Sequence, residues 1–139
     1  MTAQDKKEAL MRYRLQQAEE SLEEARYLFD GGKSTRSVVN RVYYSMLYAV
    51  LALLIHEPYS SSKHTGVIGY FNRRFIREGV FHENMGRCLN RAFELRQRSD
   101  YREYSDASRE EVEPLINAAG VFIKTIHGYC AEKYSGGKP

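Results

Sequence analysis

The sequence predicts an all-α protein, a five-helix antiparallel up-and-down bundle. Apolar residues recur at spacings of three and four in five separate stretches, which is typical of amphipathic helices, and no stretch shows the alternation of a strand. The 139 residues also include only 3 prolines and 10 glycines, so long stretches lack a helix breaker. A chain of this length makes one domain, and short connections between helices favour antiparallel neighbours.

The first two helices are predicted in the N-terminal part of the chain. A helix over residues 5–29 ends at Gly31-Gly32, because glycine readily adopts the left-handed conformation that closes a helix. A second helix follows over residues 34–55, with Ser34 or Thr35 as its N-cap. This helix is apolar over more than one face, so we expect it to be the most buried element.

Three further helices are predicted in the rest of the chain. They cover residues 64–78, residues 83–98 and a last stretch from about 108–134. Acidic residues at the start of the last helix suit the positive end of its dipole. We therefore expect a single domain over residues 1–134 and a disordered tail over residues 135–139.

The composition argues against several classes of protein. No apolar run reaches the roughly 20 residues that cross a bilayer, and the N-terminus is polar, so we expect no membrane association and no signal peptide. Cys88 and Cys130 form neither a disulfide framework nor a metal site, which favours a reducing, cytoplasmic compartment. The 4 histidines are scattered and no zinc or phosphate-loop motif is present, so the sequence predicts no metal and no cofactor.

Positive charge is concentrated in the middle of the chain. The net charge of the whole chain is +3, and residues 63–102 hold nine Lys and Arg against four Asp and Glu. A basic surface of this kind can bind phosphate. The alternative is that these charges pair with the acidic segments at the two ends of the chain.

The second predicted helix carries a polar and aromatic stripe formed by Arg41, Tyr44, Ser45 and Tyr48. Tyrosine and arginine are enriched in interface cores, so one interpretation is that the stripe faces a partner subunit or lines a cleft. The other interpretation is that the tyrosine rings pack on the bundle while their hydroxyl groups reach solvent.

Arg96 lies towards the apolar side of the fourth predicted helix. A charge on an apolar face needs an acid or a ligand, because an unpaired buried charge is costly. Asp100 is a local partner, and an Arg96–Asp100 pair would lock the turn after this helix. The alternative is that Arg96, Asp100 and Tyr101 form a ligand site.

Several segments of the chain resemble the HEPN family of helical bundles. They are residues 37–50 (SVVNRVYYSMLYAV), residues 63–68 (KHTGVI) with Phe71 and Phe75, residues 94–101 (ELRQRSDY) and residues 107–111 (ASREE). The resemblance spans about residues 8–132. It implies an all-helical bundle, usually a homodimer, whose partner is often a small nucleotidyltransferase encoded beside it.

The resemblance also implies a possible ribonuclease, because many members of the family cleave RNA with an arginine that is followed after four to six residues by a histidine. Arg96 matches the arginine, but Tyr101 stands where the histidine is expected. A tyrosine, with its ordinary pKa near 10, is a poor base at neutral pH. The literal match, Arg77 with His82, lies one helix too early. The chain therefore looks like the subgroup that lacks the ribonuclease motif.

The leading hypothesis is a non-catalytic homodimeric binding module. It would bind a partner nucleotidyltransferase, a nucleotide or RNA in a toxin–antitoxin or defence-type system. The residues expected in its cleft are Arg96, Arg98, Asp100, Tyr101, Arg41 and Tyr44.

Two alternatives stand beside this hypothesis. One is a metal-independent ribonuclease toxin that uses Arg96 with Tyr101, or Arg77 with His82. The other is a dimerisation scaffold without a ligand. The scaffold predicts that the tyrosine stripe is buried between protomers and that no pocket surrounds Arg96.

Overall fold

The computed structural model describes residues 1–101 and 106–134 and confirms the all-α bundle. Within these residues the chain forms five α-helices, namely α1 (Ala3–Asp30), α2 (Thr35–Leu54), α3 (His64–Phe71), α4 (Glu83–Ser99) and α5 (Arg109–Tyr134). No strand occurs in this part of the chain. The tail predicted at residues 135–139 lies outside the described residues.

The second helix, α2, is the centre of the bundle. It packs against α1, α3, α4 and α5, and most of its residues are buried, as its apolar faces predict. By length and composition α2 could also cross a membrane, with a mean hydropathy of 1.3, and 67% of that stretch is buried inside the bundle. The core helix of a bundle passes the same test, and α2 occupies that position.

The first helix runs antiparallel to both α2 and α5. The chain reverses at Gly32, whose φ of +69° is in the left-handed region, and α2 then returns along α1. Arg109, at the start of α5, donates to the Phe29 carbonyl near the end of α1 (3.0 Å). His127, late in α5, lies 3.2 Å from Glu19 in the middle of α1. These contacts align the helices in the predicted up-and-down arrangement.

The third predicted helix, over residues 64–78, is present but changes its winding part way along. Its second half, Asn72–Arg77, is π-helical, and Gly79, with a φ of +81°, follows it. The π-helical segment lies where α4 approaches closely, since a Cβ added at Gly86 would stand 2.8 Å from the Asn72 side-chain oxygen. A larger residue at position 86 would displace the Asn72 side chain and press on Ile76, so glycine suits this close approach of α4.

The connection after α2 turns the chain back along that helix. Tyr59 in this connection stacks its ring on the ring of Tyr70 in α3, with centroids 4.5 Å apart. The Tyr70 hydroxyl donates back to Glu57 in the connection (2.7 Å). The start of α3 consequently lies beside the middle of α2, where His64 reaches Tyr43. This reversal places His64 near Arg96 of α4.

Replacing Gly79 with alanine is expected to lower the free energy of unfolding by about 1–2 kcal/mol, because its φ of +81° disfavours a Cβ. Urea denaturation measures the change. Gly128→Ala is the matched control. Gly128 lies inside α5 with open space around it, so the same substitution there should raise the free energy of unfolding by about 0.5–1 kcal/mol. Effects of the same sign at both positions would contradict this account of the turn.

Candidate functional site

Three arginines from two helices line one cleft. Arg36 and Arg41 come from the N-terminal half of α2, and Arg96 comes from the last turn of α4. The cleft has a volume of about 390 Å³, and its other lining residues are Leu28, Ser37, Asn40, Ser99 and Asp100. The packing of α4 on α2 therefore brings two predicted site arginines, Arg41 and Arg96, to one place.

Arg96 is the arginine with the most capacity to bind a ligand. Its guanidinium lies 5.4 Å from the Tyr43 ring centroid and 5.5 Å from that of Tyr44. Its Nε is buried and has no hydrogen-bond partner among the described residues. Asp100 Oδ2 lies 3.9 Å from this Nε, which is within ion-pair range but too far for a hydrogen bond. The Arg96–Asp100 ion pair that the sequence offers as one interpretation is thus present, but it is long and includes no hydrogen bond at Nε.

Arg36 and Arg41 contact acids at the rim of the cleft. Arg36 lies 3.3 Å from Asp106, and Arg41 lies 3.2 Å from Glu24. The two carboxylate side chains are 51% and 58% exposed. Exposed ion pairs of this kind contribute about 0–1 kcal/mol, so a phosphate group can displace them. Arg41 also lies over the Tyr44 ring, 5.6 Å from its centroid.

A histidine adjoins Arg96 at the same aromatic rings. His64, the first residue of α3, shares a 3.0 Å hydrogen bond with the Tyr43 hydroxyl through its Nδ1. Its ring meets the Tyr44 ring edge-on, with centroids 5.8 Å apart. Burial and the nearby positive charge of Arg96 both lower the pKa of His64, so its imidazole is neutral at pH 7. Burial raises the pKa of Tyr43, so its hydroxyl keeps its proton.

Sequence reasoning did not select His64, Tyr43 or Arg36 as site residues. His64 precedes Arg96 and lies on another helix, so a search for a histidine just after the arginine does not find it. The available signal was the segment KHTGVI, which contains His64, together with the tyrosine pair on the second helix.

Three other predicted residues lie outside the lining of the cleft, namely Tyr44, which contacts Arg41 and Arg96, and Arg98 and Tyr101. Arg98 extends towards α5, where its guanidinium bonds to both carboxylate oxygens of Glu111, each at 3.2 Å. Side chains two residues apart on a helix point in nearly opposite directions, because each residue turns the helix by about 100°. The side chains of Arg96 and Arg98 therefore reach different neighbours. Tyr101 follows α4 and is 56% exposed. The structure thus groups Arg96, Arg41, Asp100 and Tyr44, and it places Arg98 in an ion pair between helices.

Arg77 and His82, the literal Arg–His match, lie at the opposite end of α4 from Arg96. His82 is the N-cap of α4, and its Nδ1 accepts a hydrogen bond from the Asn84 backbone N–H (3.0 Å). Arg77 is exposed at the end of the π-helical segment. This histidine therefore acts as a helix cap.

The tyrosine stripe of α2 is partly buried within the chain itself. Tyr44 and Tyr48 pack against the core with ring centroids 5.9 Å apart, and both are half-buried. Ser45 does not share their surface, because it is fully buried and donates to the Val42 carbonyl (2.6 Å). One residue along a helix turns by about 100°, which separates Ser45 from Tyr44.

Several cations of the basic middle segment form ion pairs, but among the described residues only Arg91 and Arg98 pair with an acid of an end segment, Glu111, as one of the two interpretations predicts. The ion pairs include Arg74 with Glu57 and Glu78, Arg87 with Glu83, and Arg91 and Arg98 with Glu111. Part of the regional charge therefore joins α4 to α5, part forms local pairs at the surface, and the three-arginine cleft is a separate feature.

Removing the charge of Arg96 is expected to raise the pKa of His64, because burial and that charge together hold this pKa below its ordinary value of 6.5. In an NMR titration, the imidazole resonances of Arg96→Gln should therefore move at higher pH than those of the unmodified protein. Arg91→Gln removes the same charge from the same helix, at a residue that pairs with Glu111, and should leave the titration of His64 unchanged. Identical curves for all three proteins would contradict the electrostatic coupling.

Comparison with known proteins identifies the family. A family model described as the HEPN domain matches residues 11–129. The "UPF0332 protein" of Thermotoga maritima is 37% identical over 122 residues, which cover 88% of this chain and 92% of that protein. Two proteins of Methanocaldococcus jannaschii, named "Putative toxin MJ0605" and "Putative toxin MJ0142", are 36% and 31% identical. The matches cover 78% and 86% of this chain, and 80% of each relative. On this agreement of fold and sequence, the chain belongs to the HEPN family.

Proposed function

We propose that this protein binds the phosphate of RNA or of a nucleotide in the cleft lined by Arg36, Arg41 and Arg96, as a non-catalytic binding module. The observation that carries the proposal is that three arginine side chains line one cleft, where the ion pair of Arg96 with Asp100 is long at 3.9 Å. A guanidinium presents paired N–H donors whose geometry matches phosphate oxygens, and its charge is permanent.

The other residues of the cleft suit the rest of a nucleotide. Ser37 and Asn40 provide neutral donors and acceptors, and the Asp100 carboxylate can accept a hydrogen bond from a ribose hydroxyl. The volume of about 390 Å³ lies within the range of roughly 300–1,000 Å³ that is typical of small-molecule sites. A scaffold without a ligand predicts no pocket around Arg96, so the presence of this cleft favours ligand binding.

The biological setting of the proposal is a toxin–antitoxin or defence-type system. Two relatives carry the name of a toxin, which supports this setting. The family resemblance also implies a homodimer and a small nucleotidyltransferase as partner, and we include both in the proposal. Light scattering of the purified protein and co-purification with the product of a neighbouring gene test these two parts.

Neutralising Arg96 is expected to weaken binding of a short fluorescent RNA about ten- to one-hundred-fold, because a hydrogen bond to a charged group contributes about 1.5–3 kcal/mol. Arg36→Gln and Arg41→Gln should act in the same direction. Fluorescence anisotropy measures Kd at several salt concentrations. The dependence of Kd on salt should become less steep in each variant, since one fewer phosphate charge is neutralised.

Arg98→Gln is the matched control, because it removes the same charge two residues along α4. Its guanidinium is held by Glu111, so this variant should lose thermal stability and keep its affinity for RNA. Equal loss of affinity in Arg98→Gln and Arg96→Gln would mean that RNA binding depends on the overall positive charge of the protein and not on the cleft. Unchanged affinity in Arg96→Gln would refute the cleft as the binding site.

Metal-independent cleavage of RNA is a second candidate function, favoured by the position of His64 next to Arg96. In the tautomer whose Nδ1 donates to the Tyr43 hydroxyl oxygen, Nε2 of His64 is the basic nitrogen. It would accept the proton of a ribose 2′-hydroxyl as that oxygen attacks the adjacent phosphorus. The bond to the 5′ oxygen breaks, that oxygen takes a proton from water, a 2′,3′-cyclic phosphate forms, and the His64 imidazolium returns its proton to water. Arg96 would stabilise the charge that develops on the phosphate.

This second function predicts cleavage of total cellular RNA by the purified protein in EDTA. His64→Ala and Arg96→Ala should abolish cleavage, because they remove the base and the cation. His82→Ala and Tyr101→Phe should retain it, since His82 caps α4 and Tyr101 lies outside the lining of the cleft. Gel electrophoresis and analysis of cyclic-phosphate ends measure the reaction. RNA that is bound but left intact by the folded protein would exclude this function and support the binding module.

A further inference from the structure

An apolar surface adjoins the three-arginine cleft. It is a cavity of about 520 Å³ beside α1, and its lining residues are Glu23, Glu24, Tyr27, Leu28 and Arg41. Leu28 and Arg41 also line the three-arginine cleft, so the two cavities are neighbours on one side of the bundle. Tyr27 is 78% exposed, because it lies on the side of α1 that faces away from the core.

We infer that this surface binds the base of the nucleotide whose phosphate occupies the three-arginine cleft, an inference that rests on the proposed function. A nucleotide joins an anionic phosphate to a flat aromatic base through one ribose. The two cavities present the complementary chemistry side by side, with guanidinium groups in one and the Tyr27 ring and the Leu28 side chain in the other. Stacking of a base on an aromatic side chain is a common mode of nucleotide and single-strand recognition.

The charges around Tyr27 set the orientation of the ligand. Glu23 and Glu24 line the apolar cavity with the apolar parts of their side chains, and their exposed carboxylates repel a phosphate from this side of α1. Arg41 lines both cavities, and its guanidinium lies 3.2 Å from Glu24. The phosphate is therefore directed to the arginines and the base to Tyr27.

A second copy of this chain is the other occupant that an exposed tyrosine suggests. Glutamate is depleted in the cores of protein interfaces, because burying its charge is costly. Glu23 and Glu24 flank Tyr27 and are both exposed, so a second copy that covered Tyr27 would also bury their carboxylates, whereas a single base can stack on the ring and leave them in water.

The test compares Tyr27→Ala with Tyr13→Ala. Tyr13 lies on the same helix and is also exposed (55%), but it lines neither cavity, so it is the matched control. NMR titrations would use adenosine monophosphate and ribose 5-phosphate, and anisotropy would use a pentanucleotide RNA with an abasic counterpart. The mononucleotide titration and the pentanucleotide titration together show whether the base that binds belongs to a free nucleotide or to an RNA strand.

Tyr27→Ala is expected to weaken binding of the base-containing ligand about five- to one-hundred-fold and to leave the abasic ligand unaffected. Tyr27→Phe should bind as the unmodified protein does, because stacking needs the ring and not the hydroxyl. Tyr13→Ala should leave all affinities unchanged. Arg96→Gln should weaken both ligands, since both carry phosphate.

Two results would overturn the base site and leave the three-arginine cleft intact. The first is equal weakening of base-containing and abasic ligands by Tyr27→Ala. The second is a lower molar mass of Tyr27→Ala in light scattering with unchanged affinities, which would assign the surface to a second copy of the chain. If Arg96→Gln binds every ligand normally, the proposed function itself fails, and this outcome is separate from the other two.

Discussion

The burial of α2 is the constraint on which the rest of the structure depends. This helix is apolar on more than one face, and each Val, Leu or Met side chain that it buries contributes about 1.5–3 kcal/mol. Four other helices must therefore cover it, and the short α3 does so only because the chain folds back after Leu54. Once α4 lies along α2, the arginines at the start of one helix meet the arginine at the end of the other. The candidate site is thus a consequence of covering the core helix.

The surroundings of Arg96 are unusual for a residue with only a structural role. Its guanidinium lies against two tyrosine rings, its Nε is buried without a hydrogen bond to the described residues, and its acid Asp100 stands 3.9 Å away. A buried donor without a partner costs about 1–3 kcal/mol. Arg98, two residues further along α4, has in contrast a close acid partner, since both carboxylate oxygens of Glu111 lie 3.2 Å from its guanidinium. The longer ion pair of Arg96, compared with that of Arg98, supports the proposal that Arg96 binds a ligand.

Membership of the HEPN family accounts for the bundle, while the chemistry depends on where a few side chains lie. The segment after Arg96 carries a tyrosine where many relatives are expected to carry a histidine. In the structure, His64 approaches the same arginine from α3, and its hydrogen bond to Tyr43 fixes the orientation of its ring. The two functions proposed above, binding and cleavage, therefore use the same cluster and differ in whether this imidazole reaches the substrate.

The sequence by itself determined the helices, because a helix is specified by local periodicity and by glycines at its ends. The predicted stretch 34–55 corresponds to Thr35–Leu54, and the predicted stretch 83–98 to Glu83–Ser99. It also singled out Arg96 as a charge that needs a partner. Only the tertiary structure decided that Arg41 joins Arg96 in one cleft and that His64 stands beside them. Periodicity shows which face of a helix is buried, but the residues that meet across helices depend on how the chain turns between them.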